Sequence, residues 1–135
     1  MKIIKRTLLF SLALAGVLFL LQSCSKVEGP GGSSSITGKI HIKVYDVAGN
    51  VINEYDAPDE DVYLIYGDEA SFYDDDVKTT YYGSFEFNYL QKGSYQVFVY
   101  QDCNTCPSGK EAVIIDVEIT DSKTTTDIGT IDIVD

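Results

Sequence analysis

From Ile36 onward apolar and polar residues alternate, the period of two that marks half-buried strands. Ile36, Gly38, Ile40, Ile42 and Val44 fall on one face, with Thr37, Lys39, His41, Lys43 and Tyr45 on the other. The run stops at Asp46-Val47-Ala48-Gly49-Asn50, whose Gly-Asn pair suits a tight reversal. A short strand is predicted near Val51–Tyr55, ended by Ala57-Pro58-Asp59. Val62–Tyr66 is apolar on both faces, as a central strand would be. Lys78–Tyr82 and Ser84–Leu90 read as a strand pair around Gly83, with Phe85 and Phe87 pointing the same way. After Gln91-Lys92-Gly93, the segment Ser94–Gln101 sets Tyr95, Val97 and Val99 against Gln96, Phe98 and Tyr100. Ala112–Thr120 points Val113, Ile115, Val117 and Ile119 inward, Asp121-Ser122-Lys123 turns the chain, and Asp127–Val134 closes it. Short strands separated by Gly, Asp and Asn turns predict a single antiparallel β-sandwich of about seven or eight strands with Greek-key connections.

Residues 1–35 break from this pattern. Lys2, Lys5 and Arg6 precede a nearly unbroken apolar run, Thr7–Leu21, the order of a secretion signal and too short for a comfortable membrane span. Its exit, Leu21-Gln22-Ser23-Cys24, resembles a bacterial lipobox. The resemblance implies that residues 1–23 are a lipoprotein signal peptide and that Cys24 becomes the lipid-modified first residue. An uncleaved anchor helix is the alternative. Ser25–Ser35 is polar, rich in Gly and Ser, and apolar only at Val27, so residues 24–35 read as the lipidated cysteine and a flexible tether. At full stretch Ser25–Ser35 reaches about 35–40 Å. Residues 36–135 then form one β-sandwich domain, long enough to bury a core without staples.

The chain carries 10 Lys+Arg against 21 Asp+Glu, a formal charge of −11. All three charges of the leader are basic, so the rest has no arginine and a large acidic surplus. Such a surface argues against nucleic acid and against a polybasic hold on anionic lipid. Acidity here reads as solubility and mutual repulsion, with divalent cations as the weaker alternative. With Cys24 assigned to lipid, Cys103 and Cys106 remain as an even pair, which in an oxidising envelope forms a disulfide. Their C-x-x-C spacing also occurs in redox enzymes and in half of a zinc site. Pro107-Ser108-Gly109 follows as loop rather than helix, and no second pair supplies further ligands, which favours a loop-stiffening disulfide.

Catalysis is not expected. The single histidine, His41, shares a strand face with Lys39 and Lys43, and no G-x-S-x-G or comparable nucleophile motif occurs. Two acidic runs, Asp59-Glu60-Asp61 and Asp74-Asp75-Asp76, make Asp59, Asp61, Asp74 and Asp76 candidate calcium ligands. They lack EF-hand spacing, and the strand between them holds the runs about 15 Å apart unless the following loop folds back. Solvated loop carboxylates are the alternative, and no other cofactor is expected. Aromatic residues offer more. If the strands Val62–Tyr66 and Ser94–Gln101 share a sheet, Tyr63, Ile65, Phe98 and Tyr100 form an apolar patch on its outer face. Phe72, Tyr73, Tyr81 and Tyr82 add loop aromatics suited to gripping a protein or stacking on a sugar. The competing reading is that loops cover the patch and that tyrosine merely suits strands.

The runs ITGKIHIKVYDVAGNVI, VYLIY and TTYYGSFEFNYLQKGSYQVFVY resemble the carboxypeptidase regulatory-like, or transthyretin-like, β-sandwich domains. Leu90, Gly93, Tyr95, Val97 and Val99 match the L-x-x-G-x-Y-x-V-x-V segment of that family, and Thr80, Gly83, Phe85 and Phe87 match the segment before it. Tyr81-Tyr82 stands where the family has an Asp-containing turn, and Asp127–Ile131 is similar to its closing strand. The resemblance implies a transthyretin-like, immunoglobulin-like sandwich acting as a non-catalytic accessory or binding module outside the cytoplasm. The function expected is that of a membrane-anchored envelope lipoprotein serving as a binding or scaffold module, with an envelope protein or a glycan as partner. A calcium-stabilised surface adhesin or carbohydrate-binding accessory module is the alternative. No Asp follows Cys24, so the outer membrane is the expected location.

Overall fold

The computed structural model describes residues 28–68 and 72–135, so the leader and Cys24 lie outside the described residues. The alternating segments form eight strands: β1 (Pro30–Tyr45), β2 (Val51–Asp56), β3 (Asp61–Tyr66), β4 (Asp75–Lys78), β5 (Ser84–Leu90), β6 (Gly93–Asp102), β7 (Lys110–Ile119) and β8 (Thr125–Val134). One sheet is centred on β1, which pairs with β5 and then β2 along one edge and with β8 along the other. The second sheet has the order β4-β3-β6-β7. All neighbours are antiparallel except β1 and β8, which run parallel because residues 120–124 carry the chain across at the end of the sandwich where β1 also begins.

The inner faces follow the alternation closely. Ile36, Ile40, Ile42, Phe85, Phe87, Ile131 and Ile133 pack from the first sheet onto Val62, Leu64, Tyr95, Val97, Val99, Val117 and Ile119 of the second. Tyr95, Val97 and Val99 are buried while Gln96 is partly exposed, as the period of two requires. The hand-over from β5 to β2 along β1 occurs at Ile40. Its N–H donates to the Gly83 carbonyl and its carbonyl accepts from Ala57 N–H. Gly83 is needed there: its φ is +73°, and a Cβ would lie 2.5 Å from the Ile40 carbonyl oxygen.

Two expectations are corrected. Lys78–Tyr82 does not form a hairpin with Ser84–Leu90, because β4 belongs to the β3 sheet and β5 to the β1 sheet. Thr79 is the reason: it is buried, its hydroxyl donates to Ala57 O, and it accepts Glu60 N–H, which fixes the chain where it crosses between sheets. Thr80–Gly83 is then a tight turn closed by Gly83 N–H to Thr80 O. The second correction concerns the tether. Strand β1 starts at Pro30, so the latter half of Ser25–Ser35 is part of the fold. The Ser34 hydroxyl donates to Asp121 O, Ser35 N–H donates to Thr124 O, and Gly29 N–H reaches the Tyr95 hydroxyl. Small residues permit this, because the backbone of this segment lies directly against Leu90 and Gln91.

Candidate functional site

Strands β3 and β6 are neighbours with Tyr63 directly opposite Phe98, so the sheet does bring the expected patch together. The Tyr63 and Phe98 rings stack 5.0 Å apart, and Tyr100 meets both edge-on at 5.7 and 5.6 Å. Tyr73, from the loop before β4, joins at 4.8 Å from Tyr63. Across β6, Ile114 of β7 lies opposite Phe98. The patch is layered rather than uniformly open. Phe98 and Ile65 are only 7% and 8% exposed, whereas Tyr100 and Tyr73 are 46% and 50% exposed. Tyr81 and Tyr82 do not belong to it: they meet each other at 5.4 Å on the turn before β5 and have no ring contact with the Tyr63 cluster. Ile114 is not among the residues singled out from the sequence, although its place between the inward Val113 and Ile115 is the signal that puts it on the outer face. Its part in the patch follows only from the β6–β7 register.

Beside Tyr63 and Tyr100 the surface dips into an open cleft of about 590 Å³ lined by Glu60, Asp61, Tyr63, Tyr100, Ser108 and Lys110. One wall is the start of β3, and the other is the Cys103–Gly109 loop. That loop carries the expected disulfide, Cys103–Cys106, and is closed further by Cys103 N–H to Gly109 O and Gly109 N–H to Cys106 O. Ser108 and Lys110 gave no signal in the sequence, because their position depends on how this loop closes. A somewhat larger depression, about 700 Å³, lies near Thr37, Lys39, Val77, Glu86 and Asp127 and carries no exposed ring. The aromatic cleft is therefore the better-equipped site for a ligand that needs both stacking and hydrogen bonds.

The electrostatics of the cleft are uneven. Asp61 is held by Lys78 Nζ at 2.9 Å, and Lys110 is held by the Asp102 carboxylate. The Glu60 carboxylate accepts no hydrogen bond from the described residues. Burial, and then the neighbouring Asp61, push its pKa above the ordinary carboxylate value. The Tyr63 phenol is likewise raised, first by burial and then by Asp61.

The acidic candidates separate. The loop after β3 does fold back to form β4, but antiparallel pairing sets Asp61 opposite Lys78 and Asp75 opposite Leu64, so the two runs occupy different ends of the ladder. Asp59 and Asp61 both close on Lys78, at 3.7 and 2.9 Å. Asp74 accepts Tyr66 N–H at 2.7 Å, and Asp76 sits opposite Tyr63. Among the described residues the one gathering of three ligand-type groups is Cys103, Cys106 and Glu111, and the disulfide already engages both sulfurs. His41 lies away from the cleft. Its Nδ1 is 3.1 Å from Asp56, whose other oxygen takes Lys39 Nζ at 2.7 Å.

No protein-family model matches this chain, and no curated protein matches it in sequence. Among solved structures, one from Pseudomonas aeruginosa, provisionally described as a carbohydrate-binding protein, superposes with a TM-score of 0.47 and 12% identity, covering 84% of this chain and 92% of the other. A likeness at that level carries no argument about ligand or partner.

Proposed function

We propose that this chain is an envelope lipoprotein, anchored through Cys24, whose β-sandwich is a non-catalytic binding module with the outer face of the β3–β6 sheet as its contact surface. The observation that carries the reading is the layered ring cluster of Tyr63, Tyr73, Phe98 and Tyr100 beside a polar-lined cleft. Rings packed on one another and still partly open offer a rigid apolar surface that loses little side-chain entropy when covered. The carboxypeptidase regulatory-like resemblance supports a module of this kind, and the lipobox supports its location. Because β1 begins at Pro30, only about 20 Å of extended chain separates Cys24 from the fold, so the module is held close to its membrane.

Photocrosslinking in intact cells tests the contact surface. A benzoylphenylalanine placed at Tyr73 should give an envelope adduct, while the same residue at Ile52, exposed on the opposite sheet, should not. Equal yields at the two positions would discard the proposed face. For the anchor, Cys24→Ala should move the protein out of the membrane fraction; an unchanged distribution would remove lipidation from the account.

A further inference from the structure

We infer that the cleft between Tyr63, Tyr100 and the Cys103–Gly109 loop is a subsite for a hexopyranose ring that is uncharged or bears an amine, and that it rejects uronic acids. This rests on the binding-module reading above and names its ligand class.

A pyranose has an apolar C–H face and a rim of hydroxyls, so it needs an aromatic ring beneath it and hydrogen-bonding groups at its edge. The cleft supplies both. Tyr63 and Tyr100 meet at 69°, so two rings set at a steep angle line the cleft, with Tyr100 the exposed one. Glu60, Asp61, Ser108 and Lys110 ring the opening. The Ser108 hydroxyl donates to Lys110 O at 2.7 Å and accepts Lys110 N–H at 3.4 Å, which leaves one lone pair of its oxygen to accept from a ligand.

Charge decides among sugars. Both lysines near the cleft are already engaged, Lys78 by Asp61 and Lys110 by Asp102. The Glu60 carboxylate has no hydrogen-bond donor on it from the described residues, and it is half-buried. A half-buried carboxylate gains from a donor, and sugar hydroxyls or a sugar ammonium are donors. A sugar carboxylate would instead meet two acids in the cleft and an acidic chain around it. Ring stacking beside two acids, with the lysines of the described residues at the cleft already paired to carboxylates, thus selects neutral or amino sugars over uronates.

Calorimetric titration of the detergent-solubilised full chain tests this with maltotetraose, cellotetraose, tetra-N-acetylchitotetraose, its deacetylated form and tetragalacturonate. At least one of the first four should bind, with tetragalacturonate weaker by tenfold or more. Tyr100→Ala should weaken binding at least tenfold. Glu60→Gln, which keeps the shape and removes the charge, should do so most for the deacetylated oligomer. Ile52→Ser, on the opposite sheet, should change nothing. The inference is overturned if none of the four binds, if tetragalacturonate binds equally well, or if binding ignores both substitutions. A persisting Tyr73 crosslink in that event leaves the binding-module reading standing; loss of the crosslink as well removes both.

Discussion

Tyr95 does two jobs that parity alone assigns only in part. Its ring fills the core, and its hydroxyl accepts Gly29 N–H at 3.1 Å while donating to Gln91 O at 2.8 Å. It therefore fastens the entering chain to the turn between β5 and β6. Tyr95→Phe keeps the ring and leaves the buried Gly29 N–H without a partner, a loss of about 1–3 kcal/mol. Urea denaturation should show this, with amide exchange accelerating first near Gly29 and Gln91; an unchanged midpoint would mean that water replaces the hydroxyl without cost. The inward set Tyr95, Val97 and Val99 was legible because side chains on a strand alternate without exception between bulges. That Phe98 and Ile65 are outward and yet covered was not legible. Their cover comes from residues on other strands and loops, which become neighbours only once the register is set.

The Cys103–Gly109 loop shows how a local element shapes the cleft. The disulfide closes a ring of four residues, for which the chain-entropy relation gives about 2 kcal/mol. Cys103→Ser with Cys106→Ser should lower stability by roughly that amount or less. The increase in amide exchange should be confined to residues 102–110. Loss of protection across β6 and β7 would instead make this loop a support of the whole sheet. The pairing itself was readable once Cys24 was set aside for lipid, which leaves Cys103 and Cys106 of the three cysteines. The strand that should have followed Lys78 was not, because Thr79 is buried by contacts to Ala57 and Glu60 more than fifteen residues away. The chain just before Ile36 departs from the expected tether for a related reason. Gly and Ser signal flexibility in isolation, yet small residues are also what a backbone needs in order to lie tightly against another strand.

The acidic surplus of the whole chain gives its stability a particular dependence on pH. Asp46 is held below the ordinary carboxylate range by N–H and side-chain donors of Asn50, and Asp56 by Lys39 and then His41. A carboxyl with a depressed native pKa contributes stability that is present above its unfolded value, about 3.9, and is lost as pH falls through the native value. Glu60 acts in the opposite sense. Its raised native pKa means the fold binds that proton more tightly than the unfolded chain, so stability falls as pH rises from about 4 through the native value. Repulsion among the surplus carboxylates adds to this second trend, since five of the six lysines among the described residues already sit in ion pairs at the surface. The thermal midpoint should therefore peak near about pH 5, fall steeply below about pH 4 and decline gently toward pH 7. Added salt at pH 7 should raise it, because screening relieves more repulsion than attraction. Glu60→Gln should raise the midpoint at pH 7 and flatten the decline above pH 5 while weakening sugar binding. That combination separates a residue kept for its ligand from one kept for the fold. A midpoint climbing steadily to pH 7, or falling with salt, would show that the ion pairs outweigh the surplus.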